Sequence, residues 1–560
     1  MHLILLGVNV FACFLATASE QQLIVSELMF RPDGPSALQH QWLELKSVGD
    51  EPFDFAGVAL VKGIRISLHD MHPLPPGSFL VIAKNPELFQ RKYGFAPSND
   101  AAFAGTLSAS YDVIEVYRAR NRILRFRYGG RAPWPATARG FGFSLTLRSA
   151  DSASLDLLSY PSAWRASAYR GGSPGFDDPA PPWASVPALQ LTQLLAHTDL
   201  PLVDAVELYN PTDQRVNLTG FSITSDPSAL GWRAFTFPFV GNDTVVVVGN
   251  ATVTVPGEAL THIEPQQRLI ISELKLGFRL SSQGDRVYLF YAVAPAFRLP
   301  SGFADGVEFG ATANGVGLMR VVNSVGVPVW VPAVWPKLER RLPRAVISSI
   351  LYRPASSLNG GEDTRLEYIE VVNVASDEIK FWSEGFRSGS NYYNTWRIEC
   401  RDDVLAPSFE FPRDIRLQPN ESLLIVGVEP AVFRAAAGVA SSVQVLGPWK
   451  NGPLPNTLLR VALLFPDEAN IDLTVPYVIE DELEYSATAP WPRLTVDTAG
   501  KPLVRINRTE IGDEPRNWRW GDDATAAAAS SVSLRSNDEI ERLSLAVLLL
   551  LPAVGWIECA

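Results

Sequence analysis

Apolar and polar residues alternate in short stretches along this chain of 560 residues. Alternation of this kind has the two-residue period of a β-strand with one buried face. The clearest stretches place a glutamate between two aliphatic residues, at positions 44, 207 and 370, which are equal intervals of 163 residues. Each stretch predicts a strand whose aliphatic residues are buried and whose glutamate, Glu44, Glu207 or Glu370, faces solvent.

A turn rich in small polar residues and glycine follows each of these strands, and a second alternating stretch follows the turn. The polar residue at its centre is Asp54, Asn217 or Lys380, and the pattern places this residue in solvent. An antiparallel pair of strands with one apolar face must bury that face against another sheet. The repeated pattern therefore predicts a sandwich of two sheets.

Longer apolar runs follow further along each repeat, and each run is preceded by a turn. A continuous apolar run of strand length is typical of a strand buried in the core of a sandwich. The runs that match one another are 76–83, 265–272 and 419–426. After the first and third runs, the segments 86–89 and 430–433 predict short helices.

A repeat of 163 residues has the length of a whole domain, far beyond the roughly 20–50 residues of a solenoid repeat. We therefore expect three tandem copies of one all-β domain, at residues 22–178, 186–343 and 345–521. Short proline-rich linkers join them, and such linkers are semi-rigid. Three copies leave no room for a separate catalytic domain.

A Pro-Trp-Pro motif closes the first and third copies, at Trp134 and Trp491, and the same distance separates each tryptophan from a preceding tyrosine, Tyr128 or Tyr485. The middle copy has only Trp335 followed by a proline near that place. We interpret the motif as a rigid turn whose indole fills the end of the sandwich, because prolines fix the backbone and a buried indole contributes a large apolar area. The alternative is a ligand platform.

These signatures, in this order, resemble the lamin-tail domain. The segments that carry the resemblance in the first copy are 24–32, 42–57, 76–83, 133–135 and the glycine-rich 171–175. The third copy retains 346–354 but lacks the glycine-rich ending, and the middle copy departs most, with a match at 280–290. The resemblance implies three tandem immunoglobulin-like β-sandwiches that act as binding or structural modules, and it brings no catalytic residues.

The net charge of −12 is spread along the chain, and this argues against a nucleic-acid partner, since such binding needs clustered cations. One compact basic stretch departs from this pattern and predicts a hairpin around Arg120 and Asn121. We interpret it as a solvated face, and a binding surface is the alternative. Its arginines are Arg118, Arg120, Arg122, Arg125, Arg127 and Arg131.

The first 18 residues have the layout of a secretory signal peptide, with an apolar segment and an A-x-A site before Ser19. The expected location is therefore the extracellular space or the outer face of the plasma membrane. Sequons for N-glycosylation gain meaning in that setting. Their asparagines are Asn217, Asn242, Asn250, Asn420 and Asn507.

The other end also has an ordered layout: small residues near Ser530, a polar spacer within 522–542, and an apolar tail at 543–560. This is the layout of a GPI-attachment signal, with Ser530 as the candidate attachment residue. It makes the membrane a partner through a C-terminal anchor. A short transmembrane tail and an unanchored tail are the alternatives.

Candidate catalytic groups are few. The segment 171–175 matches G-x-S-x-G, but the residue after Ser173 is Pro174, which has no N–H for an oxyanion hole. His69 and His72 are too close in sequence and too isolated for a convincing metal site. His197, with Asp199, has no identifiable nucleophile. We expect no catalytic, cofactor or metal residues. We also expect Cys400, which would be the only cysteine left after both ends are removed, to be buried.

The sequence therefore predicts a non-catalytic structural or adhesive protein with a protein or glycan ligand at the cell surface. The alternative is an extracellular hydrolase whose active site lies in the inserted loops, such as 226–262 or 384–416.

Overall fold

The computed structural model describes residues 23–521, with gaps at the positions that end this sentence: 35, 101, 131–133, 149–156, 160, 180–188, 227–233, 238, 241–243, 249–250, 256–258, 292–301, 356–361, 388–389, 401–405, 457, 470–473 and 488. The chain divides into two compact units, residues 1–182 and 183–560. Antiparallel sheets dominate both units, which confirms the all-β prediction.

Two five-stranded sheets form the first unit, with strand orders β10-β9-β1-β2-β5 and β6-β4-β3-β7-β8. The strands are β1 (Leu23–Met29), β2 (Trp42–Ser47), β3 (Val58–Lys62), β4 (Ile64–Ser67), β5 (Phe79–Ala83), β6 (Ala104–Gly105), β7 (Tyr111–Arg118), β8 (Asn121–Gly129), β9 (Leu145–Leu147) and β10 (Trp164–Ala166). Leu43 and Ile82 of the first sheet and Ile114 and Phe126 of the second belong to one buried core. The two sheets therefore enclose that core.

A helix covers part of the outer face of the first sheet. Helix α1 (Pro86–Tyr93) begins with a proline, Asn85 caps its N-terminus by accepting a hydrogen bond from Leu88 N, and Gly94 ends it in the left-handed conformation. Phe89 packs with Trp42 and Val81 in a small second core. The predicted helix is confirmed and is one turn longer than the segment that predicted it.

The middle segment, residues 189–343, contributes its own two main sheets, with orders β21-β12-β11-β24-β25-β26 and β15-β14-β22-β23. Three small pairs accompany them, β13-β20, β16-β19 and β17-β18. The strands are β11 (Gln190–Leu195), β12 (Ala205–Tyr209), β13 (Val216–Asn217), β14 (Phe221–Thr224), β15 (Phe235–Thr236), β16 (Phe239–Val240), β17 (Thr244–Val248), β18 (Ala251–Val255), β19 (Ala259–Leu260), β20 (His262–Ile263), β21 (Arg268–Ser272), β22 (Gly284–Tyr291), β23 (Gly302–Gly310), β24 (Gly317–Val322), β25 (Pro328–Val334) and β26 (Glu339–Arg340).

The outer face of the middle segment differs from that of the first unit. Its helix α2 (Glu273–Leu276) has a single turn. Ile270 of β21 remains 44% exposed, and Leu274 of the helix 61%. The prediction of a fully buried strand at 265–272 is therefore wrong for this copy, because no long helix covers the strand.

The last segment, residues 344–521, again has two main sheets, β36-β35-β28-β27-β39-β40 and β33-β32-β37-β38, with the pairs β29-β34 and β30-β31. Helix α3 (Pro430–Ala437) confirms the helix predicted at 430–433, and its Phe433 packs with Tyr368 and Leu424. The strands are β27 (Ala345–Leu351), β28 (Tyr368–Asn373), β29 (Ile379–Lys380), β30 (Trp382–Arg387), β31 (Ser390–Thr395), β32 (Arg397–Cys400), β33 (Ser408–Glu410), β34 (Arg416–Leu417), β35 (Ser422–Val426), β36 (Gln444–Leu446), β37 (Leu458–Pro466), β38 (Tyr477–Ser486), β39 (Leu503–Arg505) and β40 (Trp518–Trp520).

Polar contacts connect the middle and last segments inside the second unit. Ser324 N donates a 2.9 Å hydrogen bond to the Glu514 carboxylate. The Asn323 amide donates to the carbonyl oxygen of Asp513 over 3.0 Å, and Asn314 N donates to Asp467 over 3.0 Å. These contacts fit the grouping of both segments in one compact unit.

Candidate functional site

Each repeated glutamate lies on the second strand of a main sheet, opposite a β-bulge in the first strand. In the first unit Val25 pairs with Leu45 and Glu27 pairs with Glu44, so Ser26 is the extra residue of the bulge. The hydroxyl of Ser26 donates a 2.6 Å hydrogen bond to Oε1 of Glu44. The bulge therefore provides the glutamate with a donor from the neighbouring strand.

The same arrangement recurs twice in the second unit. Thr192 occupies the bulge of β11 and donates a 2.6 Å hydrogen bond to Glu207. Ser348 occupies the bulge of β27 and donates a 2.8 Å hydrogen bond to Glu370. Sequence reasoning missed this hydroxyl, although its signal is present: a Ser or Thr stands in the first strand of all three copies.

The prediction that the repeated glutamates face solvent is wrong. Glu44, Glu207 and Glu370 are only 1%, 2% and 5% exposed. The alternation itself is correct, because Leu43 and Leu45 belong to the core while Glu44 is on the opposite face. That face is covered by other parts of the chain, which the strand pattern does not reveal.

The partners of the buried glutamate differ among the three copies. Glu207 forms a 2.6 Å ion pair with Arg268 of the adjacent strand. Glu370 accepts a second hydrogen bond, of 2.9 Å, from the hydroxyl of Ser422. Glu44 instead has another acid, Glu27, as its cross-strand neighbour. The corresponding neighbours in the second unit are Gln193 and Ser349.

Residues 171–178, which we call the covering segment, lie over the Glu27–Glu44 pair. Ser173 contacts Glu27 twice: its backbone N donates to Oε1, and its hydroxyl lies beside Oε2, both over 3.0 Å. Gly175 N donates to Oε2 of Glu44 over 2.6 Å. Ser144 Oγ also donates to Glu27. The glycine-rich ending of the first copy is thus a carboxylate-binding segment within its own fold.

The close approach of the covering segment requires glycine. Gly172 has φ +76°, a conformation that side chains other than glycine rarely adopt. A Cβ at this position would lie 2.4 Å from Oε1 of Glu27 and 2.8 Å from Oγ of Ser144. An added methyl group would therefore displace the segment from the carboxyl pair.

Two ion pairs hold one end of the covering segment, and a hydrogen bond from a tyrosine hydroxyl holds the other. Asp178 contacts the guanidinium of Arg165, and Asp177 lies 2.5 Å from Nζ of Lys46. At the other end the Tyr93 hydroxyl donates a 2.7 Å hydrogen bond to the carbonyl oxygen of Gly171. Lys46 and Arg165 are thus engaged with Asp177 and Asp178, and among the residues that the structure describes neither Glu27 nor Glu44 forms an ion pair with a cation.

The geometry around Ser173 indicates that Glu27 carries a proton. The Ser173 hydroxyl lies 3.0 Å from Oε2 of Glu27 and 3.0 Å from Oδ2 of Asp178. A hydroxyl has one hydrogen and can donate it to only one of them. Both contacts are satisfied when Glu27 is protonated and donates to Ser173, which in turn donates to Asp178.

Burial is the main reason why the pKa of each carboxyl in this pair is raised. It raises the pKa of Glu27 from its ordinary 4.5 to about 7, against the hydrogen bonds from Ser144 and Ser173. Burial, together with the charge of Glu27, raises the pKa of Glu44 to about 8. At neutral pH the pair therefore retains at least one proton, which fits its lack of a cation.

The carboxyl pair is suited to holding the covering segment in place. Each contact described above joins a carboxyl oxygen to a neighbouring backbone or side-chain donor. The two groups that contact the Ser173 hydroxyl are carboxyls. The G-x-S-x-G match lies in turns and irregular backbone, not between a strand and a helix. This context differs from that of a hydrolase nucleophile.

Two of the histidines that the sequence analysis considered, His69 and His197, have structural partners. Nδ1 of His69 accepts a 2.9 Å hydrogen bond from Gly57 N, and His72 is exposed. His197 lies 2.9 Å from the carbonyl oxygen of Thr312, and Asp199 accepts a hydrogen bond from an asparagine side chain. Within the described ranges, no group of three or more His, Cys, Asp or Glu residues is placed to hold a metal ion.

Sequence reasoning also missed buried ion pairs in the second unit. Arg505 and Asp481 form a 2.6 Å pair, with side chains 0% and 5% exposed. The middle segment has a matching pair, Arg320 with Asp305, at 2.7 Å. In both cases the aspartate also accepts a hydrogen bond from the backbone N of the residue before the bulged hydroxyl, Leu191 or Ile347. These pairs join the two main sheets of each segment.

The closing tryptophans are core residues. Trp134 and Trp491 are 6% and 3% exposed, and their rings pack near Trp164 and Trp518. The structure therefore supports the interpretation that the indoles fill the interior, and a platform for ligands is excluded at these rings. Cys400 is buried, as expected.

The remaining predicted positions differ in what the structure says of them. Asn217, Asn420 and Asn507 are exposed, as a glycan would require. Asn242, Asn250 and Ser530 lie outside the described residues, as do the segments 1–18 and 522–560. No helix in the described part of the chain is long and apolar enough to cross a membrane.

The predicted hairpin in the basic stretch is confirmed, because β7 and β8 pair from Tyr111 to Arg118. Arg127 is buried rather than solvated, and its guanidinium lies 4.7 Å from the centre of the Tyr111 ring. In the inserts proposed for a hydrolase site, the described residues include the strand pairs β17-β18 and β30-β31.

No family model and no curated protein matches this chain. A solved structure of a DUF4876 family protein from Bacteroides thetaiotaomicron is similar over 43% of this chain and 86% of that one, at 9% sequence identity and a TM-score of 0.21. A TM-score this low carries no argument about fold or function.

Proposed function

We propose that this protein is a non-catalytic structural or adhesive binding protein of the cell surface, built from three tandem lamin-tail-like sandwiches. Its ligand is a protein or a glycan, and it needs no cofactor. A signal peptide at 1–18 directs it to the extracellular side, and a C-terminal lipid anchor attached near Ser530 holds it at the membrane.

The observation that carries the proposal is the use made of the repeated glutamates. In all three segments this buried acid accepts a hydrogen bond from a bulged hydroxyl. In the first unit its partner acid also holds the serine of the one nucleophile-like motif. The polar groups that the sequence singles out are thus engaged in maintaining sandwiches, which is the role of a binding scaffold rather than of an active site.

The lamin-tail likeness receives support from the way the copies are built. Each segment has two main sheets, and the first and last have a helix on the outer face and a buried tryptophan pair at the closing motif. The glycine-rich ending, which only the first copy retains, fits over the repeated glutamate of that copy. The exposed sequons at Asn217, Asn420 and Asn507 fit a glycosylated extracellular surface.

The test is a binding screen of the soluble fragment 19–530 on protein and glycan arrays, together with labelling by a fluorophosphonate probe. We expect saturable binding to an array member and no adduct at Ser173. An adduct at Ser173, or turnover of ester or peptide substrates that is lost in Ser173→Ala, would replace this proposal by the hydrolase.

A further inference from the structure

The second sheet of the first unit has a charge opposite to that of the whole chain. Its five strands contain six basic residues and two acidic ones. The complete chain contains 48 Lys and Arg against 60 Asp and Glu. The excess of cations is therefore local to this sheet.

The strand alternation directs Arg65 and Arg125 outward. Arg65 lies between Ile64 and Ile66, and Ile64 belongs to the core. Arg125 lies between Leu124 and Phe126, which are both core residues. Because neighbouring residues of a strand point to opposite faces, the arginines lie on the face away from the core.

The outward cations of this sheet and of its hairpin turn make up what we call the basic face: Lys62, Arg65, Arg120, Arg122 and Arg125. The register places Lys62, Glu115 and Arg125 in one row across three strands, a distance of about 10 Å. Arg122 is opposite Tyr117 in the neighbouring row. Arg120 lies in the adjoining hairpin turn, whereas Arg118 is opposite Val58 of the core and donates a 2.6 Å hydrogen bond to the carbonyl oxygen of Asp54.

Few carboxylates offset the positive charge of the basic face. The carboxylate of Glu115 forms ion pairs with two of its arginines, Arg122 at 3.9 Å and Arg125 at 3.3 Å. The second acid of the sheet, Asp112, is turned to the backbone and accepts hydrogen bonds from Ser108 N and Val113 N. Lys62, Arg65 and Arg120 are exposed, and their cations have no carboxylate within 4.0 Å in the part of the chain that the structure describes.

The corresponding sheet of the last segment has the reverse composition. Strands β32, β33, β37 and β38 contain two basic residues and six acidic ones. Several of these acids are buried in ion pairs, such as Asp481 with Arg505 and Glu484 with Arg460. A cationic outer face is therefore not a requirement of this architecture, and it distinguishes the first unit.

We propose that the basic face binds a linear sulfated polysaccharide. Exposed cations on adjacent strands, without an acid for each, are complementary to a chain of regularly spaced sulfate groups. Proteins that bind single-stranded nucleic acid stack the bases on several aromatic rings. In the rows of cations described above, the register places one aromatic residue, Tyr117, opposite Arg122. This favours a sulfated polysaccharide over single-stranded nucleic acid. This inference rests on the proposed extracellular function, for which it names the glycan class.

The experiment measures binding of the full chain to immobilised heparin at increasing salt, with desulfated heparin and single-stranded DNA as competitors. The test variant carries Lys62→Gln, Arg65→Gln, Arg120→Gln and Arg122→Gln. The control variant carries Arg91→Gln, Lys92→Gln, Arg279→Gln and Arg516→Gln, which changes the net charge equally at other exposed positions. Far-UV circular dichroism checks that both variants fold.

We expect heparin binding that weakens with salt, about tenfold weaker binding for the test variant, and less than a twofold change for the control. Desulfated heparin should not compete. Equal binding by the test variant and the native chain, equal loss in both variants, or stronger competition by DNA would overturn the inference. If the arrays identify another ligand while heparin fails, only this inference is lost. Turnover that depends on Ser173 would instead remove the proposed function.

Discussion

The first and second units stabilise a buried glutamate in different ways. All three segments bury a glutamate opposite a bulged Ser or Thr. In the second unit an arginine or a pair of hydroxyls stabilises that glutamate. In the first unit a second acid, Glu27, stands beside it and a distant glycine-rich segment covers both. The backbone geometry is shared, but only in the first unit does it depend on bound protons.

The difference teaches that a repeated acidic residue need not mean a repeated function. A buried carboxyl is tolerated when it is paired, hydrogen-bonded or protonated. For the repeated glutamate, the second unit uses the first two means, and the first unit adds the third. The contribution of this glutamate to stability should therefore respond to charge substitutions in the second unit and to pH in the first.

The largest expected effect is the loss of one unit by a charge in its core. Leu45→Asp places a carboxylate at a fully buried position and should cost about 4 kcal/mol of unfolding free energy. Leu208→Asp is the matched change in the second unit. Urea unfolding followed by hydrogen exchange should show each variant destabilising its own unit. Loss of both units in both variants would contradict separate cores.

The next effect is the response of the first unit to pH. The raised pKa of Glu27 and of Glu44 means that the folded unit binds more protons than the unfolded chain. Their stabilising contribution is complete below pH 4.5 and is lost as the pH rises through about 7 and 8. We expect the unit to become less stable by several kcal/mol between pH 5 and pH 9.

Glu27→Gln should remove the share of this pH dependence that comes from Glu27, because the amide resembles the protonated acid, while burial keeps the share that comes from Glu44. The measurement is amide hydrogen exchange of peptides from residues 171–178 across this pH range, with peptides around Glu207 as the internal control. If exchange in 171–178 of the native chain follows only the intrinsic pH dependence, the protonated pair does not hold the covering segment.

A smaller effect is expected from removing the cation in the second unit. Arg268→Gln leaves Glu207 buried beside Thr192 without its ion pair and should cost about 2 kcal/mol at pH 7. Denaturant unfolding of the variant and of the native chain measures this cost. A cost near zero would show that the ion pair adds nothing to the hydrogen bond from Thr192.

The smallest effect concerns the bulged hydroxyls. Ser26→Ala, Thr192→Ala and Ser348→Ala each remove one hydrogen bond to a buried glutamate and should cost about 1 kcal/mol. Ser26→Ala should cost least at pH 5, where Glu44 is protonated. Thermal unfolding of the three variants, compared with Ser67→Ala at an exposed position, tests this ranking.

The local sequence pattern determined much of this protein. Alternation identified the strands and the core face at Leu43 and Leu45, and the equal spacing located the three glutamates. Proline at the start of α1 and α3 and glycine after their ends marked both helices. These features depend on neighbours along the chain, so the chain order contains them directly.

Only the tertiary structure determined whether the outward-pointing glutamates are buried and what they contact. Glu44 is buried because Gly175, 131 residues away, contacts it, and Glu207 is paired because Arg268, 61 residues away, lies on the next strand. Alternation determines the side of the sheet to which a residue points, but not what covers that side. Covering requires long-range contacts, and these determine whether an acid is solvated, paired with a cation or protonated.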